Sequence, residues 1–293
     1  MQQTKDIIRQ VKKIEITTRQ LVDGLIAGNY HSIFKGQGIE FSDIRDYRVG
    51  DDVRAIDWKV TARLNQPSIK EFIEERDMQI YFVFDYSASG NFGNLIGKRM
   101  KAIELTAALM FSAMRNNDNV GLFIFSTDVE KYIPARKGRR HILKLISTLI
   151  SHQPQTKDTD IKKSLAHVSS IIKKRSVIVV ISDFYDQDFM QPLKILKNRH
   201  DVIALKIGDQ RENQMPDVGL IALEDEETGE QILVDTSDEE FRENYSKIMA
   251  SQAENLKNLF KRHKIDTLHI STEENYEVPL RKFFRIRQKR AVR

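Results

Sequence analysis

Apolar and polar positions along this chain alternate between two patterns. Short runs rich in β-branched and aromatic residues are typical of buried strands, and five of them are QIYFVFD, VGLFIFS, SVIVVISD, DVIALKIGD and DTLHIST. Longer segments between them place apolar residues three and four apart, as amphipathic helices do; an example is KRMKAIELTAALMFSAMR. Because strands and helices alternate, the pattern predicts an α/β fold with a doubly wound, mostly parallel sheet flanked by helices.

Further elements are predicted around this core. VEKYIPA is expected to pair with VGLFIFS as a hairpin, and GLIALEDEETGEQILVD predicts an acidic-tipped β-hairpin insertion. Residues 7–25 have the spacing of one or two amphipathic helices packed on the body. We therefore divide the chain into an N-terminal helical segment with a charged platform packed on the main domain (1–77), the main α/β domain (78–275) and a basic C-terminal tail (276–293).

Candidate chemistry lies where the strand QIYFVFD ends. Its last residue is Asp85, and Ser87 and Ser89 follow two and four positions later. In an extended chain alternate side chains point to the same side, so three oxygens are expected to converge. Oxygen ligands suit a hard divalent cation such as Mg²⁺ or Mn²⁺. A strand-end aspartate and serine are equally typical of turns and helix caps, so both interpretations stay open.

Two charged regions are candidates for partner binding. Residues 28–77 mix both charges around the only tryptophan, and are expected to form a salt-bridged, partly exposed network that serves as a structural platform or an interaction surface. A basic cluster precedes a helix predicted from about Gly138, where free N–H groups favour anions, although a solvated loop would have the same composition. The candidate partner-binding residues are Arg45, Asp51, Asp52, Arg54, Trp58, Arg136, Arg139 and Arg140.

Composition excludes several classes of protein. The 47 basic residues are nearly balanced by 42 acidic ones, for a net charge of +5, which disfavours nucleic-acid binding. The absence of cysteine excludes disulfides, thiolate metal sites and a cysteine nucleophile. No apolar run approaches the roughly 18 residues of a membrane span, and the N-terminus lacks the apolar region of a signal peptide. We expect a cytoplasmic protein without membrane insertion.

Several longer segments resemble the bacterial domain-of-unknown-function 58 family. They include GQGIEFSDIRDYRVGDDVRAIDWKVTAR, KEFIEERD, FDYSASGNFG, ARKGRRHILKLI and ISDF, and the resemblance extends from about residue 12 to the tail. Members of this family resemble von Willebrand factor A domains and are associated with MoxR-type AAA+ ATPases. The resemblance implies a metal-ion-dependent adhesion site for Mg²⁺ or Mn²⁺ at Asp85, Ser87, Ser89, Thr159 and Asp183. In it the two serines would bind the metal directly, and the other three directly or through water.

The resemblance implies a non-enzymatic, metal-dependent protein-interaction module that docks an acidic residue of a partner. The expected role is an adaptor or co-chaperone of a MoxR-type AAA+ ATPase; the chain itself has no P-loop. One alternative is a metal-dependent phosphoester hydrolase with Asp85 as nucleophile or ligand, although the Asp85 loop carries no second carboxylate. A second alternative is nucleic-acid binding through the basic cluster and tail, which would be steeply salt-dependent.

Overall fold

The computed structural model describes residues 2–26, 39–48, 50–74, 78–88, 97–156, 158–186, 188–224 and 231–291. The chain forms two compact units, one of residues 1–34 and 78–293 and the other of residues 35–77. The predicted segment 1–77 is thus split, because the N-terminal helix groups with the sheet and not with the charged platform. Along the described residues no helix combines the length and the apolar character needed to cross a bilayer.

A six-stranded sheet forms the centre of the larger unit. The described strands are β1 (Ile39–Asp46), β2 (Ser68–Glu74), β3 (Gln79–Asp85), β4 (Asn119–Phe125), β5 (Val129–Arg136), β6 (Val177–Ile181), β7 (Asp201–Gly208), β8 (Leu220–Glu224), β9 (Gln231–Asp235) and β10 (Asp266–Ser271). The strand order of the central sheet is β10-β7-β6-β3-β4-β5, and every neighbouring pair is parallel except β4 and β5. This arrangement confirms the predicted doubly wound, mostly parallel sheet and the β4–β5 hairpin.

Helices cover both faces of this sheet. Successive residues of a strand point to opposite faces, so Phe82 and Phe84 enter the core beneath one helical layer while Tyr81 and Val83 enter the core beneath the other. The described helices are α1 (Gln2–Ile26), α2 (Trp58–Leu64), α3 (Lys98–Arg115), α4 (Arg139–Ser151), α5 (Ile161–Ile171), α6 (Met190–Arg199), α7 (Gln210–Asn213), α8 (Glu239–Arg262) and α9 (Glu277–Ala291).

The N-terminal helix and the C-terminal helix both contribute to the core that contains Phe82 and Phe84. Helix α1 packs on α3 and α4 through Val11 and Ile14. Helix α9 occupies the region predicted as a basic tail, and its Leu280 and Phe284 are buried in the same core. The tail prediction was therefore wrong, because two apolar residues four positions apart form the buried stripe of a helix despite the basic residues around them.

Smaller elements complete the fold. Strands β8 and β9 form the predicted hairpin as a two-stranded sheet of their own, and its acidic tip lies outside the described residues. In the smaller unit β1 and β2 pair antiparallel, and a short 3-10 helix (Val53–Ala55) and α2 lie between them in sequence. Asp57 caps α2 by accepting hydrogen bonds from the backbone N–H groups of Lys59 and Val60.

Candidate functional site

The strands that end near Asp85 and Asp183 are direct neighbours. Strands β3 and β6 pair in parallel, with Phe84 opposite Ile181, so both carboxylates leave the sheet at the same edge. From β3 the chain continues to β4 on one side and later returns to β6 on the other. This point, where the strand order reverses, is where open α/β sheets bind ligands.

Hydrogen bonds fix the Asp85 carboxylate. The Ser182 hydroxyl donates to Asp85 Oδ2 at 2.7 Å, and the backbone N–H of Ser87 donates to Asp85 Oδ1 at 3.0 Å. Ser182 is itself oriented by the backbone N–H of Phe184, which donates to its hydroxyl oxygen at 3.0 Å. Both carboxylate oxygens of Asp85 are therefore held in place by donors that carry no charge.

A lysine that the sequence analysis did not identify lies beside Asp183. Lys98, at the start of α3, places its Nζ 2.9 Å from Asp183 Oδ2 and 2.7 Å from Glu212 Oε1, and all three side chains are buried. Burial opposes the charge on Lys98, but the two carboxylates outweigh that cost and raise its pKa. The structure thus contains a buried ammonium shared between two carboxylates.

Asp85 has a different electrostatic environment. Its removal from water and the negative charge of Asp183 raise the pKa of Asp85 to about 6, against hydrogen bonds from Ser87 and Ser182 that lower it. Lys98 forms its ion pairs with Asp183 and Glu212. Two carboxylates at adjacent strand ends consequently share a site in which the ammonium contacts only one of them.

The loop after β3 is fixed by Arg99. Its Nη2 donates to the backbone oxygens of Ser87 at 2.7 Å and Tyr86 at 3.3 Å, and its guanidinium lies 4.4 Å from the centre of the Tyr86 ring. The Tyr86 hydroxyl donates to the Leu149 backbone oxygen at 2.8 Å. This loop and the two strand ends enclose a cavity of about 30 Å³, enough for a water molecule or a single ion.

The oxygen ligands present in this cavity fit a hard cation. Asp85, Ser87 and Asp183 line it, together with Ser182 and Lys98. Two carboxylates and a hydroxyl are the donor types that Mg²⁺ and Mn²⁺ prefer. Within the described parts of the chain, no group of three or more Asp, Glu, His and Cys residues is arranged to hold a metal. Any cation here would therefore depend on hydroxyl and water ligands as well.

Three of the five predicted ligands, Asp85, Ser87 and Asp183, line this cavity. Ser89 lies outside the described residues. Thr159 is not among the residues that line the cavity; it precedes Asp160, which caps α5 by accepting a hydrogen bond from the backbone N–H of Lys163 at 2.7 Å. Lys98, Arg99 and Glu212 are the functional candidates missed from the sequence, because nothing in their local pattern distinguishes them from surface charges.

In the smaller unit, several predicted partner-binding residues serve the local fold. Arg45 binds both carboxylate oxygens of Asp51, at 2.7 and 2.9 Å, and this hydrogen bonding lowers the pKa of Asp51 to about 2. Asp52 caps the 3-10 helix by accepting from the backbone N–H of Arg54. Trp58 remains 67% exposed, so it is available for a contact.

The predicted basic cluster likewise contains one residue with a role within the fold and others that remain exposed. Arg139 binds Glu15 of α1 through two hydrogen bonds, at 2.7 and 2.9 Å, and so joins two helices of the larger unit. Arg140 is exposed, and Arg136 is the last residue of β5. Of the three predicted partner-binding arginines in this cluster, Arg139 therefore has an intramolecular role.

Comparison with known proteins places these features in a family context. The family model "Protein of unknown function DUF58" matches residues 43–255. The uncharacterized protein Rv1480 of Mycobacterium tuberculosis is 33% identical over 224 residues, which cover 75% of this chain and 70% of that protein. The uncharacterized protein YeaD of Bacillus subtilis is 25% identical over 178 residues, covering 60% of this chain and 42% of that protein.

Among solved structures, an aerotolerance-related membrane protein from Bacteroides fragilis matches 73% of this chain and 99% of its own, with a TM-score of 0.49 and 16% identity. The SpRpn10 VWA domain matches 45% of this chain and 75% of its own, with a TM-score of 0.35 and 16% identity.

Proposed function

The chain belongs to the DUF58 family of proteins of unknown function, and from that premise we propose that its strand-end site binds a divalent cation and presents it to an acidic residue of a partner protein. The observation that carries this proposal is the pair of carboxylates at adjacent strand ends, Asp85 and Asp183, of which the Lys98 ammonium contacts only the second. A divalent cation would neutralise the buried charge that Lys98 leaves unmatched.

Asp85, Ser87 and Asp183 would hold Mg²⁺ or Mn²⁺, and Ser89 and Thr159 remain predicted ligands. The bound cation would supply an electrophilic position for an oxygen ligand from outside the chain. For the cation to contact Asp183 Oδ2, Lys98 would move away from that oxygen while Glu212 kept its ion pair with the ammonium. Lys98 therefore competes with the metal for one of its ligands.

The partner that we propose is a MoxR-type AAA+ ATPase or its client. The basis for this choice is the resemblance of the sequence to its family. Phosphoester hydrolysis is a second candidate, because the fold places Lys98 and Asp183 beside Asp85, groups that the Asp85 loop alone lacks. The ion pairs of Lys98 with Asp183 and Glu212 raise its pKa and favour binding over hydrolysis, because hydrolysis would need a group that is free to transfer a proton.

The experiment measures binding of this protein to a purified MoxR-type ATPase from the same genome, by biolayer interferometry in Mg²⁺ and in EDTA. Asp85→Asn removes the charge and keeps the shape, and Asp188→Asn is the matched control because Asp188 is exposed. The same samples are assayed for hydrolysis of p-nitrophenyl phosphate.

We expect binding in Mg²⁺ for the wild type and Asp188→Asn, and at least tenfold weaker binding in EDTA or with Asp85→Asn. Binding that is unchanged in EDTA and with Asp85→Asn would show that the interface lies outside the strand-end site. Metal-dependent hydrolysis without binding would replace the adaptor by the enzyme.

A further inference from the structure

A second and much larger cavity lies between α8 and the strands β7 and β10. Its volume is about 690 Å³, within the range typical of sites for small molecules. We call it the α8 cleft. The residues that carry the argument are Lys206, Gly208 and His269 on the strands and Ala253, Leu256 and Phe260 on α8.

The floor of the α8 cleft is formed by residues that lie side by side on β7 and β10. Strands β7 and β10 are parallel neighbours, with Lys206 beside His269 and Ala204 beside Thr267, so alternate residues of both strands share one face. Gly208 continues this row. A Cβ at Gly208 would lie 2.9 Å from His269 Nε2 and 3.8 Å from Glu212 Oε2. The glycine therefore leaves room for two polar side chains at the inner end of the cleft.

Lys206 is the cation on the floor of the α8 cleft, whereas Lys257, which also lines the cleft, is paired with Glu254 of the same helix. Its side chain is half-buried, and its Nζ lies 4.5 Å from the centre of the Tyr185 ring. Among the residues described by the structure, none places a carboxylate oxygen within 4.0 Å of this ammonium. The lining carboxylate of Glu212 is already bonded to Lys98 and to the backbone N–H of Asp209.

Two further groups make the floor receptive to an anion. Loss of water around Lys206 lowers its pKa, and an anion beside it would reverse that effect. Loss of water and the neighbouring Lys206 charge also lower the pKa of His269, which favours the neutral ring that can donate one hydrogen bond. The floor thus combines a cation and a neutral donor.

The opposite wall is formed by α8, which lines the cleft with apolar residues and with Ser246, Glu254 and Lys257. Helix α8 faces the cleft with Ala250 and Ala253 toward its middle, and with Leu256 and the buried Phe260 toward its end. Alanines where larger side chains would fill the gap leave the space open between helix and sheet. An apolar group of several carbons can therefore lie against Leu256 and Phe260 while a polar group reaches Lys206.

We propose that the α8 cleft binds a small organic anion, whose negative group pairs with Lys206 and whose apolar body lies between α8 and the sheet. The chemistry required is a carboxylate, phosphate or sulfonate on an apolar skeleton. This site is distinct from the strand-end site, because the cavities share no lining residue. It therefore does not depend on the proposed function.

The test uses 8-anilinonaphthalene-1-sulfonate, an aromatic sulfonate whose fluorescence rises on binding, with the full chain. Lys206→Met keeps the length of the side chain and removes the charge, and Lys247→Met is the matched control because Lys247 is exposed on α8 and pairs with Glu243. Ala253→Trp fills the cleft without changing charge. Melting temperatures confirm that each variant is folded.

We expect saturable binding to the wild type and to Lys247→Met, at least tenfold weaker binding to Lys206→Met, and none to Ala253→Trp. Octanoate and octyl phosphate should displace the dye, and their ranking identifies the preferred anionic group. Octanol and inorganic phosphate should displace it at least tenfold less effectively. Equal dye binding by Lys206→Met and wild type, or equal displacement by octanol and octanoate, would overturn the proposal.

Discussion

Two lysines approach the ring of Tyr185, and their surroundings differ in kind. Lys98 lies 5.9 Å from the ring centre, is buried, and is shared by Asp183 and Glu212 beside a cavity of about 30 Å³. Lys206 lies 4.5 Å from the same ring, faces a cleft of about 690 Å³ and has no carboxylate within ion-pairing distance among the described residues. The first charge is satisfied within the protein, whereas the second is available to a ligand.

The two lysines therefore differ in what their removal should change: the stability of the fold for Lys98, and the binding of a ligand for Lys206. A buried ion pair contributes little net stability when intact, but removing one partner leaves an uncompensated buried charge. A half-buried cation without an ion-pair partner behaves differently. Its removal should change the free energy of unfolding only a little, and should weaken the binding of an anionic ligand. The same substitution at the two lysines should therefore have opposite consequences.

The largest expected effect is that of Lys98→Met. It leaves the buried Asp183 and Glu212 without their cation, so we expect a loss of about 3–5 kcal/mol in the free energy of unfolding, measured by urea denaturation. If Lys98 competes with a metal for Asp183, millimolar Mg²⁺ should recover more stability in this variant than in the wild type. The same Mg²⁺ response in both proteins would contradict that competition.

Lys206→Met is the paired measurement. Because Lys206 has no ion-pair partner among the described residues, its replacement by an apolar chain of similar length should change the free energy of unfolding by less than about 1 kcal/mol. A loss comparable to that of Lys98→Met would show that the two regions do not differ in the way proposed.

The next effect concerns pH. The pKa of Asp85 rises from 3.8 to about 6 on folding, so between these values the folded protein binds more protons than the unfolded chain, and stability falls as pH rises. Without metal, the wild type should lose at most about 3 kcal/mol across this interval relative to Asp85→Asn, at 1.36 kcal/mol per unit. Urea denaturation from pH 3.5 to 7.5 measures the difference. Parallel pH profiles of stability for the wild type and Asp85→Asn would mean that folding does not raise the pKa of Asp85.

A smaller effect is expected for Glu212→Gln, which touches both regions. It removes one of the two carboxylates that hold Lys98, so we expect a loss of about 1.5 kcal/mol in the free energy of unfolding. It also removes a negative charge from the lining of the α8 cleft, so the sulfonate dye should bind more tightly. Weaker dye binding, in a variant whose melting curve shows it folded, would contradict the assigned charge balance of the cleft.

Much of the fold was predictable because its pattern is local. Strand β3 has five consecutive buried residues from Ile80 to Phe84, and an uninterrupted apolar run of that length indicates a buried parallel strand. The α9 error has the opposite origin: Leu280 and Phe284 are few among many basic residues, so the local pattern is weak, and their burial depends on long-range packing.

The candidate site was only partly predictable for the same reason. Asp85 and Ser87 follow a strand and are visible in the sequence, and Asp183 lies near them because β3 and β6 pair. Lys98 and Glu212 come from α3 and α7, and their meeting depends on tertiary folding over 114 positions. The α8 cleft has no local sequence pattern either, because it is defined by the space between helix and sheet.

The central claim is that the strand-end site binds a divalent cation through Asp85. Isothermal titration of Mn²⁺ into metal-free protein at pH 7.5 tests it most directly, with Asp85→Asn as the site variant and Asp188→Asn as the exposed control. We expect a saturable one-site heat for the wild type and the control, and none for Asp85→Asn. The same heat in all three proteins, or no heat in any, would contradict the claim.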